Sequence, residues 1–309
     1  DHPVAAWPSS ILATSGLVAL VACSAVGPPT SPTPSVAPTA SPTPTPAVID
    51  HPTSSSAVVL RMETGGGFVP MEYFLTQAPQ FSLFGDGTVI YQRADTRLND
   101  PLGGDGLLPF LVGHLDEAGV QTLLRFALAE GRLLGARASY TDAHISDAPT
   151  TIFTLNAAGL TKTIRVYALG MDDGTGSDDA LDRQGFVKLA QQLATFEQRG
   201  VDGQLGEIQS YDPSFYRVFL IASDGVDVQS IDWPWPDLTP AAFAGLDTDT
   251  RPRANLDRVH VSKVQSVPTG GRTGLYVRAE DGSQYSIGIR PLFPDELAAA
   301  GLGQASPAH

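Results

Sequence analysis

Between residues 115 and 131 the apolar positions repeat at helical spacing. Val120, Leu123, Leu124, Ala127 and Leu128 fall at i, i+3, i+4, i+7 and i+8, which places them on one face of a helix. Asp116 stands where an N-cap belongs, Leu115 and Val120 have the spacing of a hydrophobic staple, and Gly131 ends the run. A second helix is predicted over 179–197, with Phe186, Leu189, Ala190, Leu193 and Phe196 on one stripe. Shorter apolar runs broken by turn residues predict strands. The runs 80–84 and 88–91 flank Gly85-Asp86-Gly87, and 151–155 and 160–167 flank Asn156-Ala157-Ala158-Gly159. Residues 57–200 therefore read as hairpin, helix, hairpin, helix. Beyond them, 215–222 and 226–231 read as a hairpin around Ser223-Asp224-Gly225, 256–264 as a strand, and 275–280 with 283–289 as a hairpin around Asp281-Gly282. Asp-Gly suits the positive φ angles of a type I′ turn, and a short helix is predicted at 295–300. The expected fold class is α+β: antiparallel sheets built from hairpins, two amphipathic helices packed on one face, and a β-rich C-terminal part.

The N-terminal pattern is different. Residues 11–22 are apolar or small throughout, and the run ends at Leu20-Val21-Ala22-Cys23. At about 1.5 Å per residue the run is too short to cross a hydrocarbon core of about 30 Å as a helix, but it has the length of a secretory signal core. The string at 20–23 resembles the lipobox of bacterial lipoproteins, although no Lys or Arg precedes the apolar run. The resemblance implies removal of 1–22 as a signal peptide, lipid attachment to Cys23 and display on the outer face of the bacterial cytoplasmic membrane, in the cell envelope. Two or more acyl chains anchor a protein stably where one does not. Cys23 is the single cysteine, so no disulfide within the chain is expected.

After Cys23, Pro recurs at 28, 29, 32, 34, 38, 42, 44, 46 and 52 among Thr and Ser. Pro fixes φ and removes a backbone donor, so 23–56 is expected to be a lipidated, disordered stalk with roughly 100 Å of reach at about 3.1 Å per residue. The expected organisation is thus 1–22 signal peptide, 23–56 stalk, 57–200 α+β domain, and 201–309 a β-rich domain or its continuation, with 200–206 as the best boundary.

Four strings carry a broader likeness: Val58-Val59-Leu60-Arg61 with Glu63-Thr64-Gly65-Gly66-Gly67-Phe68-Val69-Pro70, then 81–87, then Trp233-Pro234-Trp235-Pro236, and finally Arg290-Pro291-Leu292-Phe293-Pro294-Asp295-Glu296. Together they span most of 57–296. They resemble an uncharacterised family of extracytoplasmic bacterial lipoproteins found in high-GC soil bacteria. That resemblance implies a location and no activity.

Composition narrows the function classes. The chain has 309 residues, 33 Asp+Glu against 19 Lys+Arg, and a formal net charge of −14. Such acidity argues against nucleic acid as a partner, because binding to phosphates is driven by Lys and Arg. No G-x-S-x-G, S-x-x-K, H-E-x-x-H, C-x-x-C or Walker A motif occurs. No cofactor or catalytic residue is therefore assigned, and the chain is not read as an enzyme. The expected role is a binding or scaffolding module held to the membrane through lipid on Cys23, with an envelope protein or glycan as partner. The alternatives are an envelope hydrolase with scattered catalytic residues, for which His114, His144 and His260 would have to meet other groups in space, and a weak calcium-binding surface protein. The calcium reading rests on Asp172, Asp173, Asp178, Asp179 and Asp182 around Gly174 and Gly176, where Ser177 or Asp178 equally suits a helix cap. Trp233 and Trp235, spaced by prolines, are the candidate ligand-binding residues: two stiff rings that could stack on a sugar or a partner, or fill the core.

Overall fold

Strand β1 (Val58–Gly66) carries opposite chemistry on its two faces. Leu60 and Met62 are buried, while Arg61 and Glu63 point the other way. The computed structural model describes residues 47–69, 75–92, 110–141, 144–171, 179–197, 205–223, 230–243, 252–265 and 275–302. In chain order, the strands after β1 are β2 (Phe81–Phe84), β3 (Thr88–Gln92), β4 (Phe110–His114), β5 (Ser139–Tyr140), β6 (Pro149–Ala157), β7 (Leu160–Tyr167), β8 (Gln209–Ser210), β9 (Phe215–Ala222), β10 (Ile231–Asp232), β11 (Arg253–Asp257), β12 (Leu275–Arg278) and β13 (Gln284–Pro291). The helices are α1 (Glu117–Ala129), α2 (Ala180–Ala194), α3 (Arg258–Gln265) and α4 (Pro294–Ala299).

Among the described residues the strands form two sheets, β5-β7-β6-β1-β2-β3-β4-β8 and β10-β12-β13-β9-β11. The protein is an α+β fold, as the hydrophobic pattern predicts. Its sheets are mixed, however, because β5 runs parallel to β7 and β10 parallel to β12. Both exceptions are two-residue strands at sheet edges.

The two predicted amphipathic helices lie on one face of the first sheet. Val120, Leu123, Leu124 and Ala127 of α1 and Phe186, Leu189 and Leu193 of α2 share one core with Leu60, Met62, Phe81, Leu83, Phe153, Leu155, Ile164 and Val166. A bulge in β1 pairs Val58 with Phe84 but Leu60 with Leu83, so the consecutive residues Val59 and Leu60 both enter this core. The α1 cap forms as expected: the Gly119 N–H donates to Asp116 Oδ1 at 2.7 Å, and Leu115 and Val120 are both buried. Its far end differs from expectation. The left-handed residue is Arg132, at φ 61°; Gly131 is needed instead for space, since a Cβ there would lie 2.7 Å from the Ala127 carbonyl oxygen. At α2 the N-cap is Asp179, which makes no side-chain cap bond.

Turn chemistry refines three hairpins. Ala158 and Gly159 take φ of 56° and 70°, so the β6–β7 loop is a two-residue turn, and Asn156 and Ala157 remain paired in the ladder. The β12–β13 loop is not type I′. Only Gly282 has positive φ, and the Ser283 N–H donates to Asp281 Oδ1 at 2.9 Å. The β2–β3 loop repeats this device, with Gly87 at positive φ and the Thr88 N–H donating to Asp86 Oδ1 at 3.0 Å. In both loops Asp bonds the amide two residues on while Gly supplies the left-handed backbone.

Three expectations are corrected. The run 256–264 is not one strand: β11 ends at Asp257 and α3 follows. Asp257 Oδ1 accepts the His260 N–H at 3.0 Å, and Val261 and Val264 are buried while Val259 is exposed, a helical spacing that overrides their β-branched preference. The run 226–231 was expected as the hairpin partner of β9, whose neighbours are instead β11 and β13; Ile231 pairs with Val277, and 224–229 lie outside the described residues. Finally, the chain joins the fold before residue 57. Gln121 brackets Ile49, accepting its N–H and donating to its carbonyl, both at 2.8 Å. The Ala158 N–H reaches the Asp50 carbonyl at 2.8 Å, and the Gly85 N–H donates to Ser54 and Ala57. Gly85 is required here, since a Cβ would lie 2.5 Å from the Pro52 carbonyl oxygen. Ala47–His309 accordingly forms one compact unit.

The string Arg290 to Glu296 ties the second sheet to the outer face of the first. Phe293 is fully buried with Phe84, Ile90 and Phe110, and it packs edge-on to Phe110 and Tyr211. The Tyr211 hydroxyl donates to the Leu292 carbonyl at 2.7 Å. From β1, the Arg61 guanidinium forks onto Asp295 at 2.7 and 2.9 Å, gives its Nε–H to Ser82 at 2.9 Å, and sits about 6 Å from the rings of Phe84 and Phe293. Glu296 accepts a forked pair from Arg290 and a longer contact from Arg217, at 3.4 Å. It also accepts the Phe293 N–H at 3.2 Å. These donors hold the Glu296 carboxyl below the ordinary glutamate value even though burial opposes them.

Candidate functional site

α1 and α2 lie on the inner face of the first sheet, and the outer face of β1, β6 and β7 is opposite them. A pocket of about 540 Å³ opens there. Its floor is the polar side of the three strands, its far wall is Arg290 of β13 and Glu296 of α4, and Gln77 to Pro79 close one side. Sheet register sets the floor. Glu63 on β1 is opposite Ile152 on β6, and Ile152 is opposite Arg165 on β7. With strands about 4.8 Å apart, a carboxylate and a guanidinium stand in one row about 10 Å apart at the backbone, with one aliphatic side chain between them.

These two charges differ from the others in the pocket. Arg61 is neutralised by Asp295, and Arg290 by Glu296. Neither Glu63 nor Arg165 has a hydrogen bond or ion pair through its side chain among the described residues. Half-burial pushes the Glu63 carboxyl above its ordinary value; Arg61 and Arg290 oppose this, and Glu296 and Asp295 reinforce it. A carboxyl with a raised folded-state pKa binds its proton more tightly when folded. Its contribution to stability therefore declines as pH climbs from about 4.5 through the folded-state value, and the loss is complete above it. Glu63→Gln is accordingly expected to raise Tm at neutral pH and to lose that gain below about pH 4.5. Thermal unfolding of both proteins across pH checks it; an equal or lower Tm for the variant at pH 7 contradicts it.

The residues singled out by sequence are placed elsewhere. Cys23, Asp172, Asp173, Ser177 and Asp178 lie outside the described residues. Trp235 is fully buried in the core of the second sheet, its indole N–H on the His260 carbonyl at 2.9 Å. Trp233 is half-buried, and its N–H is shared by the Trp235 and Leu238 carbonyls at 2.9 and 2.7 Å. The two rings meet edge to face at 5.2 Å. Trp235 therefore has no face to offer a ligand, while Trp233, packed against the same core, keeps part of its ring at the surface. Asp179 and Asp182 are taken by Arg137 and Arg132, and Asp182 also accepts the Tyr140 hydroxyl at 2.8 Å. Among the described residues no group of three or more His, Cys, Asp or Glu is placed to hold a metal ion.

His114 and His144 are exposed. His260 sits between two carboxylates, Nδ1 at 2.7 Å from Asp257 and Nε2 at 2.8 Å from Asp237. Both ring nitrogens are occupied, so the imidazole has no lone pair free to activate a nucleophile. Hydrogen bonding to Asp237 and then Asp257 holds the imidazolium form above the ordinary histidine value. The clamp stabilises the fold fully below pH about 6.5 and loses its contribution as pH rises through the folded-state value. An NMR titration is expected to show His260 titrating above 6.5, and Asp237→Asn to move it down; an unchanged value in the variant contradicts the clamp.

Compared with models of protein families, with curated proteins and with solved structures, the chain matches none. What it does is therefore argued from this geometry. Motif reading passed over Glu63 and Arg165 because the register of three strands, and no spacing along the chain, brings them into one row. The one local sign was the alternation Leu60-Arg61-Met62-Glu63, which gives β1 a polar outer face.

Proposed function

We propose that the protein is a lipid-anchored extracytoplasmic binding module that holds a small polar ligand on the outer face of β1, β6 and β7. In this reading Cys23 carries the lipid, the Pro-rich segment after it is a spacer, and the fold from Ala47 onward is the receptor. The observation that carries it is the pocket with two opposite charges, Glu63 and Arg165, that have no protein partner among the described residues, set in one row of a sheet floor. Glu63 is half-buried and held against its own ionisation, a cost in stability that a site retained for a ligand explains, while Arg165 stands exposed at the rim with its donors open to an incoming group. The lipobox-like string and the Pro-rich segment support the anchoring. No helix among the described residues is long and apolar enough to cross a membrane.

The hydrolase reading draws on one observation, that Glu63 and Glu296 line one pocket with their carboxyls pushed in opposite directions. Glu296 is nonetheless held by Arg290, Arg217 and the Phe293 N–H, which leaves it committed to the fold. Binding is the better supported role.

Two experiments test the two halves. In a bacterial host, Cys23→Ala is expected to shift the full chain from the membrane to the soluble fraction; unchanged membrane association contradicts the lipid anchor. Native mass spectrometry of the protein mixed with a low-molecular-weight envelope extract is expected to show an adduct that Glu63→Gln/Arg165→Met abolishes. An adduct insensitive to both substitutions contradicts the site.

A further inference from the structure

We propose that the ligand of this pocket is a zwitterion of the amino-acid class, its carboxylate on Arg165 and its ammonium on Glu63. The inference rests on the binding-module reading above and names the chemistry of its ligand. Arg165 offers a planar fork of N–H donors, the geometry that pairs two-to-two with a carboxylate. Glu63 offers a carboxylate with no donor of its own, and an ammonium supplies charge and hydrogen bonds together. Ile152 lies between them in register and gives a short aliphatic spacer an apolar seat.

Charge balance decides against a simple anion or cation. The remaining guanidiniums and carboxylates of the lining are already paired, Arg61 with Asp295 and Arg290 with Glu296. What is left is one positive and one negative group. An anion on Arg165 would leave the half-buried Glu63 without a counter-charge, and a cation on Glu63 would use none of the donors that the exposed Arg165 presents. A neutral molecule with charges at its two ends satisfies both. The two groups do not satisfy each other: no contact within ion-pair distance joins Glu63 and Arg165 among the described residues. The ligand bridges that gap.

Proton linkage follows. The ammonium binds the ionised carboxylate, so binding expels the proton that burial favours on Glu63. Affinity then rises with pH through the raised Glu63 value and levels off above it. The charged groups facing Glu63 are Arg61, Arg290, Asp295 and Glu296, with Arg165 across the row. Of the two glutamates in the lining, Glu296 lies below its ordinary value and Glu63 above it, so the rise follows Glu63.

The test is a thermal-shift and calorimetric series on the full chain, with ω-amino acids from glycine to 6-aminohexanoate as probes. Valerate and pentylamine, each lacking one charged end, are the controls. One or more members of the series is expected to raise Tm and to bind about tenfold or more tightly than either control. Glu63→Gln and Arg165→Met should each remove that advantage, and affinity should climb with pH in the wild type only. If valerate alone binds as well as any amino acid and Arg165→Met abolishes it, the pocket is a ligand site but the zwitterion is wrong. If neither the series nor the controls bind, the ligand class proposed here is overturned. Binding indifferent to both substitutions overturns the site itself.

Discussion

Arg61→Ala is expected to destabilise the protein by about 3–5 kcal/mol, the cost of breaking a buried ion pair by removing one partner. The Arg61 side chain is 11% exposed and that of Asp295 24%, so neither finds full hydration when the other is lost. The substitution leaves Asp295 beside Glu296 with one guanidinium fewer. It also removes the guanidinium that sits about 6 Å from the rings of Phe84 and Phe293, and the donor to Ser82. Arg61 is on β1 and Asp295 on α4, so the loss falls on the joint between the two sheets. Equilibrium urea unfolding of the wild type, Arg61→Ala, Asp295→Ala and the double variant measures it. The double variant should cost clearly less than the sum of the singles. Additive losses would mean that the pair contributes little and that the other contacts of the Arg61 guanidinium, with Ser82 and the two rings, are the larger effect.

Trp235→Ala should cost a similar amount, about 3–5 kcal/mol, because a fully buried indole leaves a large cavity. The ring packs against Phe243 and Trp233, and its N–H holds the His260 carbonyl at the first turn of α3. Trp233→Ala is expected to cost less, since that ring is only half-buried. Neither substitution touches the pocket lining, so ligand binding by the folded variants should be unchanged. Chemical unfolding followed by far-UV circular dichroism reads the stability difference. A Trp235→Ala protein as stable as the wild type would return both tryptophans to the surface as a stacking platform.

The fold was largely legible from sequence where one period ruled. α1 and α2 each bury one face, β6 and β7 alternate around a Gly-containing turn, and β2 and β3 are short apolar runs around another. Reading failed where two signals competed. The segment from Leu256 to Val264 is rich in β-branched residues, yet an Asp257 cap and the Val261–Val264 spacing start a helix inside it. The segment 47–56 carries Pro, Ser and Thr and looks like stalk. Its place on the fold depends on the Gln121 side chain and on the missing Cβ of Gly85, neither visible along the chain. The pocket was the least legible part. Glu63, Ile152 and Arg165 are separated by tens of residues and meet through two antiparallel ladders. The tryptophans drew attention as aromatic residues in an extended Pro-rich string, whereas their burial follows from Phe243 and α3 closing over them.

The most direct test of the binding site is a two-dimensional amide correlation spectrum of the full chain, recorded with and without the tightest-binding ω-amino acid. Perturbed resonances should cluster on Glu63 to Gly66, Thr150 to Ile152 and Arg165, with Gln77 and Ala78 at the margin and the Trp233 and Trp235 indole signals unmoved. Shifts centred on the tryptophans or on the Asp237–His260–Asp257 clamp, or shifts spread evenly over the molecule, would contradict the site.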